Sequence, residues 1–182
     1  MKDNYDISPL KKKKAKRVNS RTKGNAFERS VAKLLNENFS TDEFSRSPGS
    51  GAFATTHKLP EHLKIFGDLI TPKEFKYTIE CKKGYNKENI YSLLNDSSKV
   101  WEFIRQSEKD AEACGKLALL LYKQDRQKTL AIARDGFFPS HIKNICIVSD
   151  STGWSRKYRI YYLEELLEKV PKQQWYTAGA ML

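Results

Sequence analysis

From Phe27 onward, apolar residues recur at Val31, Leu34, Leu35 and Phe39, the three-and-four spacing of one helical face, with Asn25 as the predicted N-cap. At about 100° per residue, Glu28 falls inside that stripe, between Leu35 and Phe39. The period then shortens. "DEFSRSP" reads as a short strand and "GSGAFATTHKLPEHLKI" as a long loop rich in small residues. "GDLIT" and "YTIECKK" read as two short strands joined by the turn material "PKEFK". A second helix is expected from about Ser97 to Cys114, its stripe made by Val100, Phe103, Ile104, Ala111 and Cys114 and its end marked by Gly115. "KLALLLY" and "TLAIA" are apolar throughout, as strands covered on both faces are. "NICIVS" and "KYRIYY" add further strands, and "LEELLEKV" gives a last helical turn or two before Pro171. Helix, three strands, helix, then more strands is an α/β order, without internal repeats.

Two of these predicted strands carry acids. In "YTIECKK" the period of two sets Thr78, Glu80 and Lys82 on one face and Tyr77, Ile79 and Cys81 on the other. A hairpin pairing symmetrically about Lys73 to Phe75 would bring Leu69 opposite Ile79 and Asp68 opposite Glu80. Directly opposed Cβ atoms lie roughly 5 Å apart, so two like charges there destabilise the sheet unless something compensates. Lys82 can neutralise part of the charge. A divalent cation on both carboxylates does so more completely, and hard oxygen ligands select Mg2+. The plain alternative is an exposed Glu and Lys pair on an edge strand, worth little energetically. That alternative needs neither Asp68 at the facing position nor Glu28 inside a helical stripe.

Charge adds a second element. The chain of 182 residues has a formal charge of +11, and nine Lys or Arg against two Asp in residues 1–23 put most of it at one end. Residues 1–22 are expected to form a flexible basic arm and residues 23–182 a single domain. Both parts suit a polyanion, nucleic acid ahead of a membrane surface. Cys81, Cys114 and Cys146 stand far apart in no metal-binding spacing, which suits a reducing compartment. No apolar run approaches a membrane span of roughly 18 residues, and no secretory signal is recognisable, so a cytoplasmic location is expected.

Four pieces, in order, carry a resemblance: "KGNAFERSVAKLL", "RSPGSG", "GDLI" and "IECKK". Over about residues 23–123 the chain resembles the PD-(D/E)xK nuclease superfamily and, within it, the archaeal-type Holliday junction resolvases. A phage or bacterial relative would fit. The resemblance implies a restriction-endonuclease-like core, a mixed β-sheet flanked by helices in αβββαβ order. It also implies a homodimer, dependence on Mg2+ with Mn2+ able to substitute, no small-molecule cofactor, no membrane, and cleavage of branched DNA. Position by position, Asp68 and Glu80 resemble the metal ligands, with the Cys81 backbone carbonyl as a further one. Glu28 resembles the helix-borne acid that supports the site, directly or through water, and Lys82 the catalytic lysine. Ser50 matches a loop serine near the scissile phosphate. Lys23, Arg29, Arg46, Ser47, Gly49, Ser50 and Lys83 are the expected DNA contacts. Gly67 precedes the Asp where many relatives have Pro, and the loop after "PGSG" is longer than the archaeal pattern. Other readings stay open beside this one: Glu28 as half of a capping box with Asn25, His57 and His62 as exposed loop histidines, Trp101 as core, and Arg46 as a surface arginine. Another nuclease of the superfamily, or a DNA-binding module with structural acids, are the competing functions.

Overall fold

The computed structural model describes residues 19–48, 66–94, 98–149 and 155–177; Gly49, Ser50, His57, His62 and the proposed arm up to residue 18 lie outside them. Helix α1 (Ser20–Phe39) leads into β1 (Ser45–Arg46), β2 (Leu69–Ile70) and β3 (Tyr77–Lys83). A one-turn helix α2 (Ile90–Leu93) and the long α3 (Lys99–Cys114) precede β4 (Leu117–Lys123), β5 (Leu130–Arg134), β6 (Asn144–Ser149) and β7 (Arg156–Tyr162). Helix α4 (Leu163–Lys169) and a 3-10 turn (Lys172–Trp175) close the described chain. Five strands form one mixed sheet in the order β3-β4-β5-β7-β6. Only β3 and β4 are parallel, the crossover between them being made by α3. This is the expected α/β architecture with helices on both faces.

The strands divide their side chains between two cores. Tyr77, Ile79 and Cys81 of β3 and Leu119 and Leu121 of β4 face α1, α4 and Trp175. Leu120 and Tyr122 face α3, where Val100, Phe103 and Ile104 cover them. The middle of β4 is buried on both sides, which is why "LALLLY" has no polar alternation. Trp101 is core, as one of its readings had it, its indole N–H bonded to the Leu93 carbonyl at 3.0 Å.

Two sequence expectations are corrected. Asn19, not Asn25, caps α1: its side chain accepts from the Arg21 N–H, and the helix starts more than a turn before the apolar stripe. Glu28 is therefore mid-helix and forms no capping box with Asn25. Its burial in the stripe has another cause. The hairpin ladder between β2 and β3 is also absent. β2 pairs instead with β1, Arg46 opposite Leu69 and Ser45 opposite Ile70, as a separate two-stranded sheet. Helix α3 keeps the predicted limits almost unchanged, with Ser98 as N-cap and Gly115 in the left-handed conformation as C-cap.

Candidate active site at the open edge of the ExK strand

Among the described residues strand β3 has a neighbouring strand, β4, on one side only, so the backbone groups of Ile79 and Cys81 point outward from the sheet. The segment around Asp68 is held against that edge. The Asp68 N–H donates to the Ile79 carbonyl at 2.9 Å, and the Cys81 N–H donates to Asp68 Oδ2 at 2.9 Å. A side-chain oxygen thus stands where a neighbouring strand would offer its carbonyl. The arrangement satisfies a buried backbone donor and fixes the Asp68 carboxylate beside β3. The Ser47 N–H in turn donates to the Asp68 carbonyl at 2.9 Å.

Gly67 explains the departure from proline before the Asp. Its φ is +74°, and a Cβ there would lie 2.6 Å from the Ile79 carbonyl oxygen. Proline, locked near −65°, cannot adopt this backbone, and any side chain would push the segment off β3.

Three acids from three elements surround this edge. Glu80 points to the α3 face of β3 and is only 2 % exposed; Asp68 lies beside the edge, and Glu28 comes from α1; both are buried. Burial pushes the Glu80 carboxyl up to about 7, repulsion from Asp68 adds to it, and Lys82 works against it. Burial and Asp68 likewise raise Glu28, against the pull of Arg46. The sequence arithmetic that put Glu80 and Lys82 on one face holds, since the Lys82 ammonium donates to Glu80 Oε1. Burial disfavours the Lys82 charge, but Glu80 and Asp68 outweigh it and hold the ammonium above the usual lysine range. Its Nζ lies 5.4 Å from the centroid of the Phe103 ring, a cation–π contact that helps fix its position.

Arg46 is not a free surface arginine. Its Nε bonds Glu28 Oε2 at 2.5 Å and its Nη2 bonds Asn25 Oδ1 at 3.2 Å, so the helix acid is buried as half of an ion pair. Ser47 is also buried, 1 % exposed, with a hydroxyl that has no hydrogen-bond partner among the described residues. Lys23 pairs with Asp125 at 3.4 Å, and Lys83 lies near enough to the same carboxylate to act on its charge. Arg29 is exposed on α1.

Sequence reasoning missed one acid. Asp110 of α3 is raised by burial and by repulsion from Asp68, and it in turn adds to the upward shift of Glu80. The contacts of α3 show how it gets there. Cys114 Sγ meets Thr78 Oγ1 at 2.9 Å, and Phe103 meets Lys82, so the helix runs antiparallel to β3. At about 100° per residue Asp110 projects beside Phe103 and Cys114, at the rim of the same stripe and between the two ends of this contact. An acid at the rim of an apolar arc was the signal, a weaker form of the one that singled out Glu28 inside its stripe.

Among the described residues no group of three or more His, Cys, Asp or Glu side chains converges closely enough to cage an ion. Mg2+ does not need such a cage. It takes one or two carboxylates and keeps several waters. Two buried carboxylates that repel each other, on an edge where the Cys81 carbonyl also points outward, are hard oxygen donors of the kind and number it selects.

The model of a family described as "Phage putative PDDEXK endonuclease" matches residues 19–172. Protein D14 of Escherichia phage T5 is 34% identical over 128 residues, covering 67% of this chain and 74% of that protein. No solved structure matches. The family match begins at the residue that caps α1 and ends in the final 3-10 turn, and within it lie both acids, the lysine and the strand edge that gathers them. The chain belongs to the phage PDDEXK endonuclease family, within the PD-(D/E)xK nuclease superfamily.

Proposed function

We propose that this chain is a Mg2+-dependent endodeoxyribonuclease, with Mn2+ able to substitute, that hydrolyses phosphodiesters in four-way or otherwise branched DNA as a homodimer. One observation carries the nuclease chemistry: Asp68 and Glu80, both buried, meet at the open edge of β3 with Lys82 bonded to one of them. The preference for branched DNA rests on the likeness of "RSPGSG" and its neighbouring motifs to the junction resolvases.

Asp68, Glu80 and the Cys81 carbonyl would hold the metal, which when bound supplies Lewis-acid polarisation of the phosphoryl oxygen and a more acidic water. The protein groups do the rest. The Cys81 N–H fixes the Asp68 carboxylate in one orientation, so no rotamer freedom is lost on loading. Lys82, restrained by Glu80 and the Phe103 ring, presents its charge to the attacking water and to negative charge growing on phosphorus. Arg46 holds Glu28 in an ion pair at the back of the site and offsets part of the rise that burial imposes on its carboxyl. Lys23, Arg29, Lys83 and the loop with Gly49 and Ser50 supply phosphate contacts, which position the strand without reading sequence.

The test incubates the protein with a four-way junction, a linear duplex and a single strand, with and without Mg2+. Paired nicks in the junction that need the metal are expected. Equal cutting of linear duplex would move the assignment to a general nuclease of the same superfamily. DNA binding without any metal-dependent cleavage would overturn the enzyme reading.

A further inference from the structure

At the end of the sheet opposite the acids, β6 is the outermost strand, bonded along one side to β7, and no further strand joins it among the described residues. Its sequence, "NICIVS", contains no charge and no proline. Exposed edge strands are normally protected by lysines, prolines or bulges, because bare backbone edges invite another strand. Here the side chains add to the invitation. Ile145 is 54% exposed and Val148 51%.

The face beside this edge is covered only in part. Helix α3 packs on β3 and β4 and, through Val100, Trp101 and Ile104, joins the buried cluster of Ile132, Tyr158 and Ile160 on β5 and β7, while Ile147 of β6 is only half-buried against it. A groove of about 690 Å³ lies there, lined by Leu130, Ile132, Ile147 and Ile160 of the strands and by Leu93 and Leu94 at the end of α2. Leu94, which caps α2, is 87% exposed, and Tyr91 within that helix 79%.

We propose that this edge and groove are a self-association surface, on which a second copy of this chain pairs its own β6 antiparallel about a two-fold axis near Cys146 and Ile147. The occupant follows from the surface. A bare strand edge is completed by a strand, and an antiparallel strand about a perpendicular two-fold axis can be its own partner. Because β6 is uncharged, self-pairing sets no like charges opposite one another. Lys143, just before the strand, meets the far, uncharged end of the other β6 rather than its own copy. Nucleic acid does not suit an apolar groove beside an uncharged strand. Size decides how much surface takes part. A stable dimer buries about 800 Å² on each copy. A six-residue strand is about 20 Å long and too narrow to supply this alone, so the groove and its Leu94 lip belong to the interface. The joined sheet would have ten strands, with the two β3 edges at its outer ends, on the order of 45 Å apart at the usual strand spacing.

The inference locates the interface of the homodimer proposed above and rests on that part of the reading and on the β6 surface, not on the nuclease chemistry, and its readouts do not involve cleavage. Cys146 is a built-in probe, exposed while Cys81 is buried and Cys114 half-buried. Sedimentation of the full chain at tens of micromolar is expected to give a dimer. A short bifunctional maleimide should join two copies through Cys146, and Cys146→Ser should abolish the cross-link. Ile145→Lys and Leu94→Lys replace exposed side chains. Each should weaken dimerisation at least about tenfold, or 1.4 kcal/mol, with unchanged circular dichroism. A monomer at all concentrations would overturn the proposal. So would a dimer that both lysine variants leave intact, or one in which Cys146 does not cross-link.

Discussion

The two outer strands of the sheet face the same physical problem and handle it in opposite ways. On β3 the exposed backbone is met by the Asp68 carboxylate and the Ile79–Asp68 hydrogen bond, and the neighbouring side chains are Glu80 and Lys82. On β6 the side chains are Ile145, Cys146, Ile147 and Val148, with no ionisable acid or base in the strand. Both edges carry a liability that a central strand does not. At β3 it is buried negative charge; at β6 it is exposed apolar surface. Each is costly in isolation, and on the proposals above each would be relieved by a different binding partner, a cation in one case and an apolar strand in the other. An edge strand can therefore be read by asking what would relieve it.

The largest expected effect separates the two edges outright. Asp68→Asn keeps an oxygen to accept the Cys81 N–H, and Glu80→Gln keeps one for Lys82, so both variants should fold. Each removes an anionic oxygen from the proposed metal site and should lower metal-dependent cleavage by about a thousandfold while DNA affinity stays near parental. Ile145→Lys at the other edge should leave the chemistry of the single site intact. Parental cutting rates in either carboxylate variant would end the nuclease assignment of these residues.

That contrast also marks what was legible in the sequence. Strand β3 was readable because its period of two is strict, and α3 because Ser98 and Gly115 bracket its apolar stripe. The acids inside the strand patterns singled out Asp68 and Glu80, and the family motifs gave them roles, yet the pairing between them was misread. A side chain that takes a strand's backbone N–H leaves no period in the sequence, so the Asp68 bond to Cys81 looked like a hairpin ladder. The start of α1 was missed because residues 20–24 are polar or glycine and carry no apolar period, and two asparagines could each cap a helix there. The ion pair of Arg46 with Glu28 joins residues 18 apart through the β1–β2 ribbon, which only packing reveals. Trp175, fully buried against Phe75, Tyr77 and Phe138, lies in a single 3-10 turn too short to show periodicity.

A smaller effect reports the charge crowding at β3 without any substrate. Glu80, Glu28 and Asp110 all have folded values raised above their ordinary ones, Glu80 to about 7. Between the ordinary Glu80 value and about pH 7 the native state then holds more protons at Glu80 than the unfolded chain, and Glu28 and Asp110 act in the same direction, so their contribution to stability falls as pH rises. In chelator, the melting temperature should be several degrees higher at pH 5.5 than at pH 8, and Glu80→Gln should remove much of that difference. Mg2+ should raise the melting temperature at pH 8 far more than at pH 5.5, because it competes with protons for the same oxygens. A melting temperature in chelator that climbs from pH 5.5 to 8 would show that the three acids are not crowded. The uncharged β6 edge contributes nothing to either slope.

The smallest effect tests Asp110, which α3 brings to the same edge without a place in the expected motif. Its charge repels Asp68 and Glu80 in the free protein, a cost that turns into attraction once a cation sits between them. An acid that only shapes the local potential, and touches neither substrate nor metal, should alter loading more than chemistry. Asp110→Asn should raise the Mg2+ concentration for half-maximal cleavage about threefold, while the rate at saturating Mg2+ stays within about twofold of the parent. Such a shift corresponds to roughly 0.6 kcal/mol, within the range of a partly solvated charge pair. Asp110→Lys, which inverts the charge, should move the midpoint further in the same direction, an ordering that a packing defect has no reason to follow. An unchanged midpoint in both variants would show that the acid of α3 takes no part in the site. Ile145→Lys, at the opposite edge, supplies the control: a lysine introduced there lies too far from β3 to shift metal loading through salt-screened water.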